Sequence, residues 1–113
     1  DSEFERAVLR DLLRLRWSFD RAGLDLLLEK PVFDTLTPIG SCRPDFLLEA
    51  RSRSTGETRE IIVEAMGSTD ETYLAAKAVT HPRMQQIAPV LCVSPDDVEE
   101  ARIAPLVRKA FGL

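Results

Sequence analysis

The sequence predicts a small α/β domain whose elements follow in the order helix, three strands, helix, strand, helix. Helical apolar spacing recurs near the start and the end of the chain, a capping box marks the start of a helix near the middle, and short apolar segments bounded by turn residues lie between these stretches. At 113 residues, of which 44% are apolar, the chain has the usual size of one domain with one continuous core. We therefore expect residues 1–113 to form a single domain, cut from a longer protein because the sequence opens at Asp1 without an initiator methionine.

The composition excludes several classes of protein. Charged residues make up 30% of the chain, with both signs interspersed and no long apolar run, which excludes a disordered chain and a membrane span. Cys42 and Cys92 are too few for a disulfide framework, so we expect free thiols in the reducing cytoplasm, with Cys92 buried in an apolar run. Because the chain has one histidine, a structural zinc site is not expected, and any metal would be bound by oxygen.

The charge balance gives opposite indications about nucleic acid. A net charge of −4 argues against a strong general affinity for phosphates, which depends on an excess of Lys and Arg. However, the first predicted helix is crowded with Arg6, Arg10, Arg14 and Arg16. This local basic face either contacts phosphates or is a solvated helix face with ordinary intrahelical pairs.

The first helix is predicted over residues 3–17. Ser2 and Glu5 match a reciprocal capping box at its start. The apolar residues at three- and four-residue spacing are Phe4, Val8, Leu12, Leu15 and Phe19. After a glycine, residues 24–28 are predicted as a loop or a short helical turn, followed by an extended stretch over residues 29–36.

Two strands are predicted at the centre of the chain, joined by a polar hairpin loop. In the first strand, residues 45–50, alternation puts Asp45 on the face opposite the apolar side chains. The loop spans residues 51–58, and the second strand spans residues 60–66. Glu64 is an anomaly in that second strand, because a carboxylate among apolar residues costs several kcal/mol unless it is paired, protonated or bound to a cation.

The C-terminal half is predicted as helix, strand, helix. Ser68 begins a second capping box, at the start of a helix that ends at about His81, before a proline. Residues 89–94 form a short apolar strand. Ser94 then caps a closing helix, which Pro105 is expected to kink.

Asp45 and Glu64 are the first candidates for chemistry. They lie on strands joined by a single loop, so antiparallel pairing can bring their side chains together at one edge of the sheet. Two adjacent carboxylates repel each other unless a cation lies between them. Mg²⁺ fits this position because it takes oxygen ligands and tolerates a site made of two carboxylates, a backbone carbonyl and waters. Such an ion can polarise a phosphodiester and lower the pKa of an attacking water.

The two central strands carry a two-part motif, Arg-Pro-Asp-Phe-Leu-Leu at 43–48 and Ile-Ile-Val-Glu-Ala-Met-Gly at 61–67. This motif resembles the signature of the PD-(D/E)xK nucleases, the restriction-endonuclease-like superfamily. The resemblance covers residues 2–94 and implies an α-β-β-β-α-β core. We therefore expect a central mixed sheet flanked by helices, followed by a C-terminal helix.

The same resemblance implies a set of site residues. By position, Asp45 and Glu64 would be metal ligands, and the carbonyl of Ala65 would be the third. Many members of the superfamily also have a catalytic glutamate on the first helix. By resemblance, Glu5 would take this catalytic role. The implied activity is Mg²⁺-dependent hydrolysis of DNA by an endonuclease or exonuclease.

The chain departs from the family pattern at the lysine of the motif, where it has Met66. A thioether can neither orient a water nor stabilise developing negative charge. Some members of the superfamily carry the cation on the following helix. Tyr73, Lys77 and His81 lie at i, i+4 and i+8 on that predicted helix, so one stripe can direct all three at the carboxylates, and Lys77 is the expected substitute.

Each of these residues also has a purely structural interpretation. Asp45 after a proline is a common strand start, and Glu64 can pair with Lys77 as a buried ion pair. Lys77 alone can be a solvated helix residue, and His81 a residue favoured at a helix end by the dipole. Glu5 can be only a cap.

Three functional hypotheses follow from these observations. The leading one is a divergent nuclease that uses Mg²⁺ to hydrolyse DNA. The second keeps the fold without the chemistry, as a catalytically inactive module that binds nucleic acid or a partner protein within a larger chain. The third is an assembly domain whose exposed helix faces dock another subunit. A membrane partner is not expected.

Overall fold

The computed structural model describes residues 2–113. The helices are α1 (Glu3–Arg21), α2 (Glu71–Met84), α3 (Pro95–Glu99) and α4 (Ile103–Ala110). The strands are β1 (Leu24–Glu29), β2 (Thr35–Thr37), β3 (Gly40–Cys42), β4 (Phe46–Ser52), β5 (Thr58–Ala65) and β6 (Val90–Val93). No helix within residues 2–113 combines the length and apolar character needed to cross a bilayer.

The main sheet is mixed and has the strand order β1-β4-β5-β6. β1 pairs antiparallel with β4, and β4 pairs antiparallel with β5, whereas β6 runs parallel to β5 after the crossover through α2. β2 and β3 form a separate antiparallel hairpin, inserted between β1 and β4 along the chain. The predicted α-β-β-β-α-β core is therefore confirmed, and it consists of α1, β1, β4, β5, α2 and β6.

Helices cover both faces of this sheet. Alternation along β5 sends Ile61, Val63 and Ala65 into a large apolar core shared with α1 and α4. The intervening Ile62 faces a smaller apolar cluster with Met84 at the end of α2. Because Glu64 has the same parity as Ile62, its side chain lies on the α2 side of the sheet.

The sequence prediction for residues 24–28 was wrong. These residues form β1, an edge strand of the sheet, in which Leu26 is buried while its neighbours Asp25 and Leu27 are exposed. The run of leucines has no clear period of its own, so pairing with β4 decides its conformation. The preceding helix α1 begins at its predicted cap, Ser2, but continues past residue 17 to Arg21, which places Phe19 in the core.

Both predicted boundaries of α2 need correction. Asp70 is the N-cap, because its side chain accepts hydrogen bonds from two backbone N–H groups of the first turn. Ser68 instead accepts a hydrogen bond from the Asp70 N–H at 3.0 Å. The helix also continues through Pro82 and ends at Met84, which is buried in the smaller apolar cluster that contains Ile62.

The closing helix is two helices rather than one helix kinked at Pro105. Ser94 caps α3 in a capping box as predicted, but the chain breaks at Ala101, which has a φ of 54°. Pro105 falls in the first turn of α4, where a missing N–H leaves no hydrogen bond unmade.

The cysteine prediction is confirmed in part. Both thiols are free, as expected. Cys42 is buried, whereas Cys92 is exposed, contrary to the prediction. The difference arises because Cys92 lies on β6, at the edge of the sheet.

Candidate active site

Asp45 and Glu64 lie opposite each other on neighbouring strands. The register that pairs Phe46 with Val63 places Asp45, one residue before β4, across from Glu64 on β5. The Asp45 N–H donates to Glu64 Oε2 at 2.7 Å, and the Ala65 N–H donates to Asp45 Oδ2 at 2.9 Å. Each carboxylate is therefore held by the backbone of the other strand, on the same face of the sheet.

Both carboxylates are removed from water to different extents. The Glu64 side chain is 0% exposed, and the Asp45 side chain is 20% exposed. An ionised carboxylate at such a position needs partners, because desolvation disfavours its charge. The pair is therefore a local concentration of negative charge that requires a cation.

Helix α2 supplies that cation through Lys77. The Lys77 Nζ donates to Glu64 Oε1 at 2.9 Å and lies 3.5 Å from Asp45 Oδ2. Its side chain is 18% exposed, so the ammonium group is largely shielded. Two carboxylates and one ammonium group leave a net charge of −1 at this position.

Two more residues of the predicted stripe on α2 point at the same place. His81 Nε2 lies 3.2 Å from Glu64 Oε1. The Tyr73 hydroxyl donates to the Ala65 carbonyl at 2.9 Å, and the Lys77 ammonium lies 5.5 Å from the centre of the Tyr73 ring. The spacing of i, i+4 and i+8 thus brings Tyr73, Lys77 and His81 together on one side of α2. We call these three residues, with Asp45, Glu64 and Ala65, the carboxylate cluster.

The pKa values of Asp45 and Lys77 shift in the directions that this charge distribution requires. Burial raises the pKa of Asp45, and repulsion from Glu64 raises it further, against the opposing effect of Lys77. Burial alone would lower the pKa of Lys77, but the hydrogen bond to Glu64 and the two negative charges outweigh it, so the pKa of Lys77 is raised. Lys77 is therefore held firmly in its charged form.

The donor set of the cluster fits a hard divalent cation such as Mg²⁺. Asp45, Glu64 and the Ala65 carbonyl present oxygen atoms at the end of two adjacent strands. Within residues 2–113 there is no group of three or more His, Cys, Asp or Glu side chains that could hold a metal. A metal would therefore have two side-chain ligands, the carbonyl and waters, which is a composition that Mg²⁺ accepts.

Glu5 does not join the contacts made by the cluster. It lies in the first turn of α1, where its N–H donates to Ser2 Oγ, and its carboxylate pairs with Lys30 at 3.7 Å. The Lys30 ammonium in turn lies 4.7 Å from the centre of the Phe46 ring, next in sequence to Asp45. Because Phe46 belongs to the core shared with α1, this pairing places Glu5 and Lys30 on the face of the sheet opposite the cluster.

Cys92 is a neighbour of the cluster that sequence reasoning missed. Its Sγ lies 3.9 Å from His81 Nδ1, and its position on β6 pairs with Glu64 on β5. Burial raises the pKa of the Cys92 thiol, and the negative charge of Glu64 adds to that effect. The thiol is therefore held neutral beside the cluster. The parallel pairing of β6 with β5, which places it there, is a long-range feature.

Two comparisons relate this chain to known proteins. Residues 1–110 match the family described as restriction endonuclease-like C-terminal domain. The chain is also 37% identical over 93 residues to an Escherichia coli protein described as an uncharacterized protein in cib 5'region. That match covers 77% of this chain and 43% of the relative, so the chain spans less than half of the relative's length.

Proposed function

Because the chain belongs to the family of restriction endonuclease-like C-terminal domains, we propose that it is a Mg²⁺-dependent nuclease that hydrolyses phosphodiesters of DNA. The observation that carries this proposal is the position of the Lys77 ammonium, 2.9 Å from Glu64 and 3.5 Å from Asp45. Such chemistry needs two acids and a cation close together. Here the acids lie at one end of adjacent strands and the cation comes from α2, because Met66 occupies the position of the motif lysine.

The acids and the carbonyl would hold the metal. Asp45, Glu64 and the Ala65 carbonyl would bind Mg²⁺, which when bound polarises the phosphodiester and lowers the pKa of a water. The strand backbones orient both carboxylates through the hydrogen bonds from Asp45 and Ala65. Among residues 2–113 no donor contacts Asp45 Oδ1, so this oxygen is accessible to a ligand without breaking an internal hydrogen bond.

Lys77 has an electrostatic part in this proposal. Its raised pKa keeps it protonated at neutral pH, so it acts as a donor and a positive charge rather than as a base. A donor fixed beside the reacting phosphate stabilises negative charge that develops in the transition state. The ammonium group contacts both acids at once, 2.9 Å from Glu64 and 3.5 Å from Asp45, so it would offset part of their negative charge beside the phosphate.

One observation favours a second candidate function, an inactive module that binds nucleic acid or a partner protein. Both oxygens of Glu64 already have protein partners, since Oε2 accepts from the Asp45 N–H and Oε1 contacts Lys77 and His81. A fully satisfied buried carboxylate is also what a structural ion pair requires. In this version the cluster stabilises the fold, within a larger cytoplasmic protein in which the thiols remain reduced.

The test is a cleavage assay on single- and double-stranded DNA with and without Mg²⁺. Glu64→Gln keeps the size of the side chain and removes its charge, and Glu60→Gln is the matched control, because Glu60 is exposed on the same strand. The nuclease proposal expects cleavage that EDTA and Glu64→Gln abolish and Glu60→Gln preserves. Activity that survives both EDTA and Glu64→Gln contradicts it, and a folded wild-type protein without cleavage supports the inactive module.

A further inference from the structure

The solvent side of α1 carries an unusual combination of side chains. The helix buries Val8 and Leu12 against the sheet, and its opposite side forms a shallow open groove. The groove is lined by Glu3, Arg6, Ala7, Leu9, Arg10, Leu13, Arg14 and Trp17. We call this the α1 outer face. The Trp17 side chain is 77% exposed and that of Leu13 is 43% exposed, which leaves a large aromatic ring in water on a helix that is otherwise well packed.

The α1 outer face is basic although the chain as a whole is acidic. It has three arginines against the single acid Glu3, whereas the whole chain has a net charge of −4. Within residues 2–113, no acidic side chain forms an ion pair with Arg10. Arg14 lies 3.7 Å from Asp11 and remains 73% exposed, so this weak surface pair leaves its guanidinium group available.

We propose that the α1 outer face binds single-stranded nucleic acid. Arginines four residues apart on a helix are spaced by about 6 Å along its axis, so Arg6, Arg10 and Arg14 form a row that can follow a phosphate backbone. Trp17 continues the row by one more turn and offers a flat ring on which a base can stack. Cations that follow the backbone, combined with an aromatic platform for bases, are the requirements for binding single strands without sequence preference.

This surface is separate from the carboxylate cluster. α1 packs on the face of the sheet that holds Ile61 and Val63, and the cluster lies on the other face, against α2. Binding at the α1 outer face therefore needs neither Mg²⁺ nor Glu64. The inference does not rest on the proposed nuclease activity, and its failure and that of the activity are distinguished by measuring binding in EDTA.

The chain provides its own reporter for this experiment. Trp17 is the only tryptophan in the sequence, so tryptophan fluorescence reports on the end of the α1 outer face where Trp17 lies. We expect a short oligothymidylate, titrated in EDTA at low salt, to quench this fluorescence because a base stacks on the ring. With about three phosphate contacts, the logarithm of the binding constant should fall with the logarithm of salt concentration with a slope of about −2.

Variants then separate the two parts of the surface. Arg10→Ala with Arg14→Ala should reduce the magnitude of that slope by about 1.4, since each single-strand phosphate contact contributes about 0.7. Trp17→Ala, followed by anisotropy of a labelled oligonucleotide, should weaken binding at least about fivefold, and Trp17→Phe should restore part of it. Lys109→Ala removes an exposed cation on α4 and should change neither value.

Three results would overturn the proposal. The first is unchanged tryptophan fluorescence in the presence of excess oligonucleotide. The second is an equal loss of binding in Lys109→Ala and in the arginine variant. The third is binding of poly-aspartate as tight as binding of the oligonucleotide, which would indicate an acidic protein partner instead. All substituted side chains are exposed, so circular dichroism should show an intact fold in every variant.

Discussion

Lys77 neutralises a fully buried carboxylate, so Lys77→Met tests the carboxylate cluster without any assumption about catalysis. Removing one partner of a buried ion pair costs about 3–5 kcal/mol in the free energy of unfolding, because the other charge stays buried without compensation. Glu64 keeps its hydrogen bond from the Asp45 N–H and its contact with His81. We therefore expect the lower end of that range, about 3 kcal/mol.

Equilibrium unfolding in guanidinium chloride measures this loss directly. For a domain of this size, about 1 kcal/mol corresponds to about 4 °C in Tm, so a thermal melt should fall by about 12 °C. Lys109→Met, an exposed lysine on α4, is the matched control and should cost less than about 0.5 kcal/mol. Combining Lys77→Met with Glu64→Gln should recover much of the loss, because no unpaired charge then remains.

Equal free energies of unfolding for Lys77→Met and Lys109→Met would contradict this prediction. That result would mean that Lys77 and Glu64 do not interact strongly in solution. A double variant that is less stable than Lys77→Met alone would also contradict the account, because it would mean that the charge of Glu64 stabilises the fold even without its cation.

Three further predictions concern the same region. Burial, and then repulsion from Glu64, raises the pKa of Asp45 above its ordinary 3.8, so the folded state binds this proton more tightly than the unfolded chain does. The contribution of Asp45 to stability should therefore fall as pH rises from below 3.8 through the folded-state pKa. Urea unfolding at several pH values should show this fall in the wild type and not in Asp45→Asn, and identical profiles would refute it. Met66 has the same strand parity as Glu64, so the nuclease proposal predicts that Lys77→Met abolishes Mg²⁺-dependent DNA cleavage and that adding Met66→Lys restores it. Continued inactivity of a folded double variant would count against the assigned role of the cation. Finally, a maleimide should label the exposed Cys92 before the buried second thiol, and more slowly than a free thiol because the pKa of Cys92 is raised. Mass spectrometry identifies the labelled residue, and labelling of both thiols at equal rates would disagree with the structure.

Local sequence patterns were sufficient to predict the two central strands. Phe46, Leu48 and Ala50 alternate with polar or less buried residues along β4, and this period of two is visible without any knowledge of the partner strand. Glu64 stood out because it is charged inside an apolar run. Both signals depend only on neighbours in sequence, which explains why these predictions succeeded.

Elements that depend on distant pairing could not be predicted in the same way. Residues 24–29 become a strand only because β4 provides a partner, and several leucines in a row suit a helix as well as a strand. At the start of α2, Ser68 and Asp70 are both good caps by composition. Asp70 is the cap because its carboxylate reaches two N–H groups, a distinction that requires coordinates.

The candidate site shows the same difference between residues that local patterns predict and residues that long-range pairing places. Helical periodicity alone indicated that Tyr73, Lys77 and His81 share one side of α2, since residues four apart on a helix lie on the same face. It could not place Cys92 beside His81, because that contact depends on the pairing of β6 with β5. The roles in metal binding and catalysis that were assigned to Asp45, Glu64, Ala65, Lys77 and Glu5 stay predictions.

Calorimetric titration of Mg²⁺ into the folded domain tests the central claim most directly. The account predicts a saturable binding heat in the wild type and in Glu60→Gln, and its loss in both Asp45→Asn and Glu64→Gln, because only these two acids supply charged oxygen ligands at the cluster. A wild-type protein that is folded and gives no binding heat would contradict the claim. So would a binding heat that persists unchanged when both acids are replaced.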